Sequence, residues 1–272
     1  MILSRRPIIA LLTDLGGKDP YVSEMKAVIL SICPDATIVD ITHEVKKFDV
    51  RMGAYILSSA VPYFPEGSIF VCVVDPGVGT KRRLLAVRTK RGHYLIGPDN
   101  GLLVPASQRE GIDAVVDLQE KRFMLPSVSP TFHGRDVMAP VAANIAKGAE
   151  LDELGPRIDD ILTPGFSAPE VGRDEIVGEV LHVDDFGNII TNIEGSTIKR
   201  TTKVGGELAM DLGRRALRLK LCRTYADSPD RTFLALIGSS GLLEIAMNQG
   251  NAAETLSINR GDSVRVHVLR TH

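Results

Sequence analysis

Apolar residues along the first half of the chain follow two alternating patterns. Residues 7–12, 37–41, 68–74, 84–89 and 94–96 are short apolar runs rich in β-branched side chains, the mark of strands inside a core. Residues 21–32 instead place Val22, Met25, Val28, Ile29 and Ile32 at helical spacing. Residues 50–61 form an Ala- and Ser-rich helical stretch, and residues 137–147 form another. Strands alternating with helices predict an α/β domain on a mostly parallel sheet, over residues 1–163. Pro164, Gly165, Pro169 and Gly172 mark residues 164–175 as a linker. Beyond it the period changes, and residues 176–183, 188–193, 208–212, 217–221, 233–237, 243–246 and 263–269 are short strand-like runs separated by turn residues. They predict a smaller all-β barrel domain over residues 176–272. Two domains of different class suggest a ligand site at their junction or between subunits.

Composition narrows the function. With 272 residues the chain can bury a sizeable core, and 44% apolar against 24% charged residues is ordinary for a globular protein. A net charge of −2, no Trp and only 5% aromatics offer neither the basic field nor the stacking platform of a nucleic-acid binder. No stretch approaches the roughly 20 apolar residues of a membrane span. Arg5-Arg6 and the apolar run that follows lack a small-residue cleavage site and read better as a first strand than as a signal peptide. Cys33, Cys72 and Cys222 are odd in number and far apart, which supports neither a disulfide framework nor a thiolate zinc site. A cytoplasmic location is expected.

The candidate chemistry lies at strand ends. The 68–74 run stops abruptly at Asp75-Pro76-Gly77-Val78-Gly79, with Arg82 close behind, and in open α/β sheets ligands sit just beyond the carboxyl ends of strands. Asp14 follows the first strand in the same way. It could hold a vicinal diol such as a ribose, or simply cap the next helix. Asp75 and Arg82 could be a structural ion pair, or a pair that holds and polarises water. Gly77 and Gly79 are only part of a dinucleotide-binding glycine loop, since Arg82 stands where its third glycine would be. His133, in a loop before a helix, suits either a turn or proton transfer near neutrality. With Asp136 and Asp75 it makes a metal site conceivable, although no HxH, HxxxH or HExxH spacing occurs. In the second domain, Asp184-Asp185-Phe186-Gly187-Asn188 reads as a hairpin turn, but its aromatic tip invites a flat ligand. Residues 237–244, with Ser239 and Ser240, form a second small-residue turn that could offer N–H groups to a carboxylate.

Taken together, TDLG at 13–16, VDPGVGTKRR at 74–83, IGPDNGLL at 96–103, TFHGRDVMAP at 131–140, DDFGN at 184–188, TYAD at 224–227 and SSGLLEIAMNQG at 239–250 resemble the S-adenosyl-L-methionine (SAM) hydrolases. These are also called SAM hydroxide adenosyltransferases and are related to the SAM-dependent fluorinase and chlorinase. The resemblance runs from about residue 8 to 268. It implies an N-terminal α/β domain, a C-terminal β-barrel and a homotrimer whose sites lie between the N-terminal domain of one subunit and the C-terminal domain of its neighbour. It further implies hydrolysis of SAM to adenosine and L-methionine without a cofactor or metal. The family's water-handling triad falls on Asp75, Arg82 and His133, and its ribose-binding aspartate on Asp14, with Asp19 and Tyr21 in the following loop. Asp184, Ser239 and Ser240 match positions around the amino-acid tail. Phe186, Asn188, Tyr225, Met247 and Asn248 match positions around the adenine, with Glu244 on the same wall. Where the fluorinase has a tyrosine and a halide-contacting serine, this chain has Asp75 and Gly134, and the fluorinase insertion between residues 83 and 133 is missing. The resemblance therefore implies water rather than halide as nucleophile. Three other readings stay open on residues alone: an adenosine or SAM sensor with little turnover, a metal-dependent phosphoesterase on Asp14, Asp75 and His133, and a halogenase.

Overall fold

The computed structural model describes residues 6–163 and 168–268; Arg5, Pro164 and Gly165, named above, and the last position of the 263–269 run lie outside the described residues. The chain divides into two compact units, residues 1–164 and 165–272.

The first unit carries, in chain order, β1 (Ile8–Thr13), α1 (Tyr21–Ile32), β2 (Thr37–Thr42), α2 (Val50–Ala60), β3 (Ile69–Val73), β4 (Leu84–Thr89), β5 (Tyr94–Pro98), α3 (Val104–Glu110), β6 (Ile112–Asp117) and α4 (Ala139–Ala146). Its sheet has the order β2-β1-β3-β5-β4-β6. The first four of these strands are parallel, while β4 runs antiparallel to both β5 and β6. Side chains alternate across the sheet, as the strand period requires. Ile9, Leu11, Val71 and Val73 join Met25 of α1 and Val141 of α4 in one core layer. Ala10, Leu12, Phe70 and Cys72 join Leu57 of α2 and Leu102 in the layer on the other face. Helix α3 and strand β6 have no counterpart in the sequence reading. The helix is only seven residues long, too short for a periodicity to declare itself; Pro105 in its first turn and Gly111, at φ 76°, just past its end were its signals.

The strand order matters for function. The chain leaves β1 toward β2 on one side and returns as β3 on the other, so the carboxyl ends of β1 and β3 flank a topological switch point. Thr13 lies opposite Val73 in the parallel register, and the Asp14 N–H donates to the Val73 carbonyl at 3.3 Å. Asp14 and Asp75 therefore emerge at one edge of the sheet. Helix α4 does not begin as an ordinary α-helix. Residues Gly134–Met138, directly after His133, form a π-helical turn.

The second unit carries β7 (Glu170–Val171), β8 (Glu175–Val183), β9 (Ile189–Glu194), α5 (Gly195–Thr201), β10 (Glu207–Leu212), β11 (Arg215–Lys220), β12 (Phe233–Ile237), β13 (Leu242–Met247), α6 (Ala252–Leu256) and β14 (Ser263–His267). The antiparallel order β11-β10-β14-β8-β9-β13-β12 is nearly closed by a bridge between Leu221 and Ala235. Inward residues such as Ile176, Ile189, Leu208, Met210, Ile245 and Val266 fill it. Two short helices supplement the strands. The tail of the expected linker is built into the sheet, because Glu170–Val171 pairs with β8 and Glu175 begins that strand. Among the described residues, no helix is long and apolar enough to cross a membrane.

Gly53 shows how closely α2 approaches the sheet: a Cβ there would stand 2.8 Å from Leu102 and 3.1 Å from Val74. Gly53→Val should overpack this layer and destabilise the protein by about 1–3 kcal/mol. The check is a lower urea midpoint at unchanged slope.

Candidate functional site

Three side chains meet at the end of β3. Arg82 Nε donates to both carboxylate oxygens of Asp75 at 2.7 Å, and Nη2 makes a further short contact to Asp75 Oδ2. The same Nη2 donates to His133 Nδ1 at 2.9 Å. The Asp75 and Arg82 side chains are only 5% and 10% exposed. A guanidinium has no acceptor, so Nδ1 must be the bare nitrogen of a neutral imidazole, whose proton sits on Nε2. Burial, and then the charge of Arg82, hold the His133 imidazole below its usual range, while Asp75 and Asp136 oppose that shift. Asp75 keeps lone-pair capacity on Oδ1, which accepts from Nε alone.

The surrounding motifs serve this trio. Asn100 Nδ2 donates to the Val74 carbonyl at 2.9 Å, pinning the backbone next to Asp75. Asp99 pairs with Arg83 at 2.6 Å and accepts the Leu162 N–H at 2.8 Å. Thr80 Oγ1 accepts the Arg82 N–H and donates to the Gly77 carbonyl, which shapes the loop. Gly79 has φ 79°, and a Cβ there would lie 2.5 Å from the Pro130 carbonyl. Tyr21, at the start of α1, lies edge-on to Phe132 at 5.2 Å, beside His133; Asp19 is exposed in the loop before it.

Asp14 does not cap α1, whose N-cap is Pro20 without a side-chain bond. It is buried, and its Oδ2 accepts the Phe48 N–H at 2.8 Å, while Lys47 Nζ bonds its carbonyl. Phe48 is a residue the sequence reading missed. It is 71% exposed and held at φ 65°, a backbone state costly for a bulky side chain. An aromatic inside the polar Lys46-Lys47-Phe48-Asp49 segment was its sole trace.

The second unit has its own cleft of about 640 Å³, lined by Asp184, Phe186, Asn188, Tyr225 and Met247 among the expected residues. Asp185, Gln249, Gly250 and Asn251 line it as well and were not anticipated. The Asp184 carboxylate shapes the hairpin, accepting the Phe186 and Asn188 N–H groups at 3.0 and 2.8 Å and the Asn188 side chain at 2.9 Å. The hairpin reading therefore holds, and the turn leaves Phe186 80% exposed. Tyr225 donates to Glu244 Oε1 at 2.7 Å. Burial pushes the Glu244 carboxyl up, the Tyr225 bond pulls it down and the nearby Asp184 charge raises it again. Asn248 is tied to the Ser228 carbonyl at 2.7 Å and to Asp230. Ser239 and Ser240 sit in the β12–β13 turn, at the far end of β13 from Met247, about 17 Å of strand away. They do not line this cleft.

Among the described residues, no three His, Cys, Asp or Glu side chains are grouped as a metal ion would need. The acceptors of Asp75 and His133 already face a guanidinium, and Asp136 is bonded to Arg135 and the Ser129 N–H.

Comparison with known proteins identifies the family. Family models of the SAM hydroxide adenosyltransferase N-terminal and C-terminal domains match residues 9–155 and 178–265. The chain belongs to the SAM hydroxide adenosyltransferase family. Its relatives include an (R)-S-adenosyl-L-methionine hydrolase of Salinispora arenicola, 38% identical over 97% of this chain and 99% of that protein. The protein of the same name from Thermus thermophilus is 39% identical over 96% and 99%. A fluorinase of Nocardia brasiliensis is 32% identical over 97% and 98%. The crystal structure of an uncharacterized conserved protein from Thermotoga maritima matches with a TM-score of 0.92 at 36% identity, covering 95% of this chain and 99% of that one. Both units of this SAM hydroxide adenosyltransferase family member fall within these matches.

Gly79→Ala should be destabilising on two counts, the left-handed backbone and the Pro130 carbonyl, by about 1–3 kcal/mol. Urea unfolding reads the loss, and a fall in turnover should accompany it because the same loop carries Arg82.

Proposed function

We propose that this protein hydrolyses S-adenosyl-L-methionine to adenosine and L-methionine, with Asp75, Arg82 and His133 holding the attacking water. The observation that carries this reading is the Arg82 bridge: one donor-only side chain fixes both the carboxylate and the imidazole at a sheet switch point. The names of the 37–39% identical relatives specify the (R) sulfonium epimer, and we extend that preference to this chain.

The chemistry asks little of an acid. Methionine leaves C5′ as a neutral thioether, because the substrate sulfur starts as a cation. What remains is to place water in line with the C5′–S bond at about 3–3.5 Å and to receive its proton. Water oxygen bonds C5′, the C5′–S pair passes to sulfur, and the proton goes to Asp75. Asp75 is the acceptor because His133 already presents its bare nitrogen to Arg82; its Nε2–H can donate to the water oxygen and orient a lone pair. Asp14 would hold the ribose hydroxyls, with Phe48 and Tyr21 walling the sugar side. Asp19 lies in the same loop. In the second unit, Phe186, Asn188, Tyr225, Met247 and Asn248 would receive the adenine, with Glu244 behind Tyr225. Asp184, Ser239 and Ser240 would face the amino-acid tail.

The proposed ribose-side residues lie in the first unit and the adenine-side residues in the second, and we infer a homotrimer in which one subunit's first unit works with its neighbour's second. The reaction calls for no cofactor. The three buried free cysteines suit a reducing cytoplasm.

The test is adenosine release, assayed on each sulfonium epimer in ¹⁸O-water. Label should enter the adenosine 5′-hydroxyl, with the (R) epimer turned over faster. Methylthioadenosine or homocysteine as product would refute the reading. Asp75→Asn should cut kcat by about 10²–10⁴-fold, while Asp14→Ala should chiefly raise KM. Equal activity in both variants and wild type would remove the site assignment.

A pH dependence follows from His133. Its folded-state pKa lies below the ordinary value of about 6.5. Above that value the imidazole is neutral in folded and unfolded chains alike, and its contribution to stability is complete. As pH falls through the window below 6.5, the unfolded chain takes up the proton first and that contribution drains away. Protonation also sets two cations against each other. The kcat/KM profile should therefore show an acid limb with its midpoint under 6.5, absent in His133→Gln.

A further inference from the structure

One buried charge cluster has no part in the reaction as described. Asp136 has a side chain only 1% exposed, yet it makes no contact with Asp75 or Arg82. Its Oδ1 accepts Arg135 Nε at 2.6 Å, and its Oδ2 accepts Arg135 Nη2 at 3.2 Å and the Ser129 N–H at 2.8 Å. The Leu125 N–H donates to its carbonyl at 2.9 Å. Arg135 continues outward, with Nη1 on Glu24 of α1 at 2.8 Å and its guanidinium 5.0 Å from the centre of the Phe132 ring. A buried carboxylate is costly unless paired and bonded, and this one is fully occupied.

The placement of the cluster is what gives it meaning. Asp136 and Arg135 lie inside the π-helical turn Gly134–Met138, and His133 is the residue immediately before it. π-turns are rare and concentrate at functional sites. Gly134 packs against β3 and α1 so closely that a Cβ would stand 3.2 Å from Val73 and 3.4 Å from Met25. His133 is thus caught between a backbone pinned on the sheet and a turn pinned, through Arg135 and Glu24, on α1.

We propose that Asp136, acting through Arg135 and Glu24, is the positioning residue that keeps His133 seated on Arg82. It touches neither water nor substrate. Its work is to fix the first turn after His133, so that the imidazole meets Nη2 in one orientation. The charged groups that face His133 are Arg82, Asp75 and Asp136. Asp136, like Asp75, thereby also favours the imidazolium there.

The inference rests on the hydrolysis proposed above, but one of its tests does not. In the Asp136→Asn protein, the His133 imidazole followed by NMR should titrate at lower pH than in wild type, whether or not adenosine forms. Glu24→Gln, a change at a half-buried helix position, should lower kcat about 3–10-fold with KM within twofold, and Arg135→Lys should behave alike. In a His133→Gln background, adding Asp136→Asn should cost nothing further, because the two act as one unit. An unmoved His133 titration in Asp136→Asn would overturn the proposal. So would a kcat loss that simply multiplies onto that of His133→Gln, or unchanged kcat in Glu24→Gln. Should Asp136→Asn fail to fold, the presence or absence of the kcat loss in Glu24→Gln decides the matter. A wild-type protein that releases no adenosine would sink the reaction while leaving the titration result standing.

Discussion

The guanidinium of Arg82 is the part on which the rest depends, because it can only donate. Placed between a carboxylate and an imidazole, it dictates what each must be. The carboxylate accepts from it through both oxygens at 2.7 Å, and the imidazole has to present a bare nitrogen at 2.9 Å. Two titratable groups are thereby set in complementary states, one an acceptor with a spare lone pair and the other a donor through Nε2–H. A lysine could supply the charge but not this geometry, since its ammonium has no planar fork to span both partners.

The sheet explains why such a bridge can form. A parallel pair with a switch point between its strands leaves a crevice that no crossover helix fills. Loops after β1 and β3 must start there, and Asp14 and Asp75 are the first polar residues of those loops. Burial then does two things at once. It excludes the water that would screen Arg82, and it makes the unprotonated imidazole the cheaper form, so His133 stays neutral over a wide range.

Much of this was legible in the sequence, for a physical reason. A strand buried on both faces cannot hide its end: Ile69–Val73 stops at Asp75-Pro76-Gly77, and the strand-end rule does the rest. What stayed illegible depended on three-dimensional partners. Phe48 looks like any loop aromatic until its φ of 65° and its N–H bond to Asp14 are known. Asp136 reads as a spare metal ligand until Arg135 next to it and Ser129 seven residues back are seen to consume its oxygens. Ser239 and Ser240 match a motif block that also contains Met247, yet an extended strand separates what the block joins. Helix α3 and strand β6 are too short for a period to register above its neighbours. For Phe48 and Asp136 the missing information is a contact that the sequence does not announce.

The relation to the fluorinase sharpens the chemistry, since 32% identity over the whole chain means that one scaffold supports both. The difference has to lie in what stands at the nucleophile. In the proposed site, Asp75 Oδ1 keeps a lone pair that can accept a proton from water but has nothing to donate to a halide approaching C5′. Water has two protons to give, so the same carboxylate attracts it. Gly134 removes the second requirement of a halide site. A Cβ there would stand 3.2 Å from a Val73 methyl, so a serine at this position would press on the Val73 side chain. Exchanging Asp75 alone would therefore leave a pocket without a donor for the anion, and adding a serine alone would strain the turn that seats His133. The two positions must change together with the packing beneath them, so a fluorinase-like halide site is more than a single substitution away from this chain.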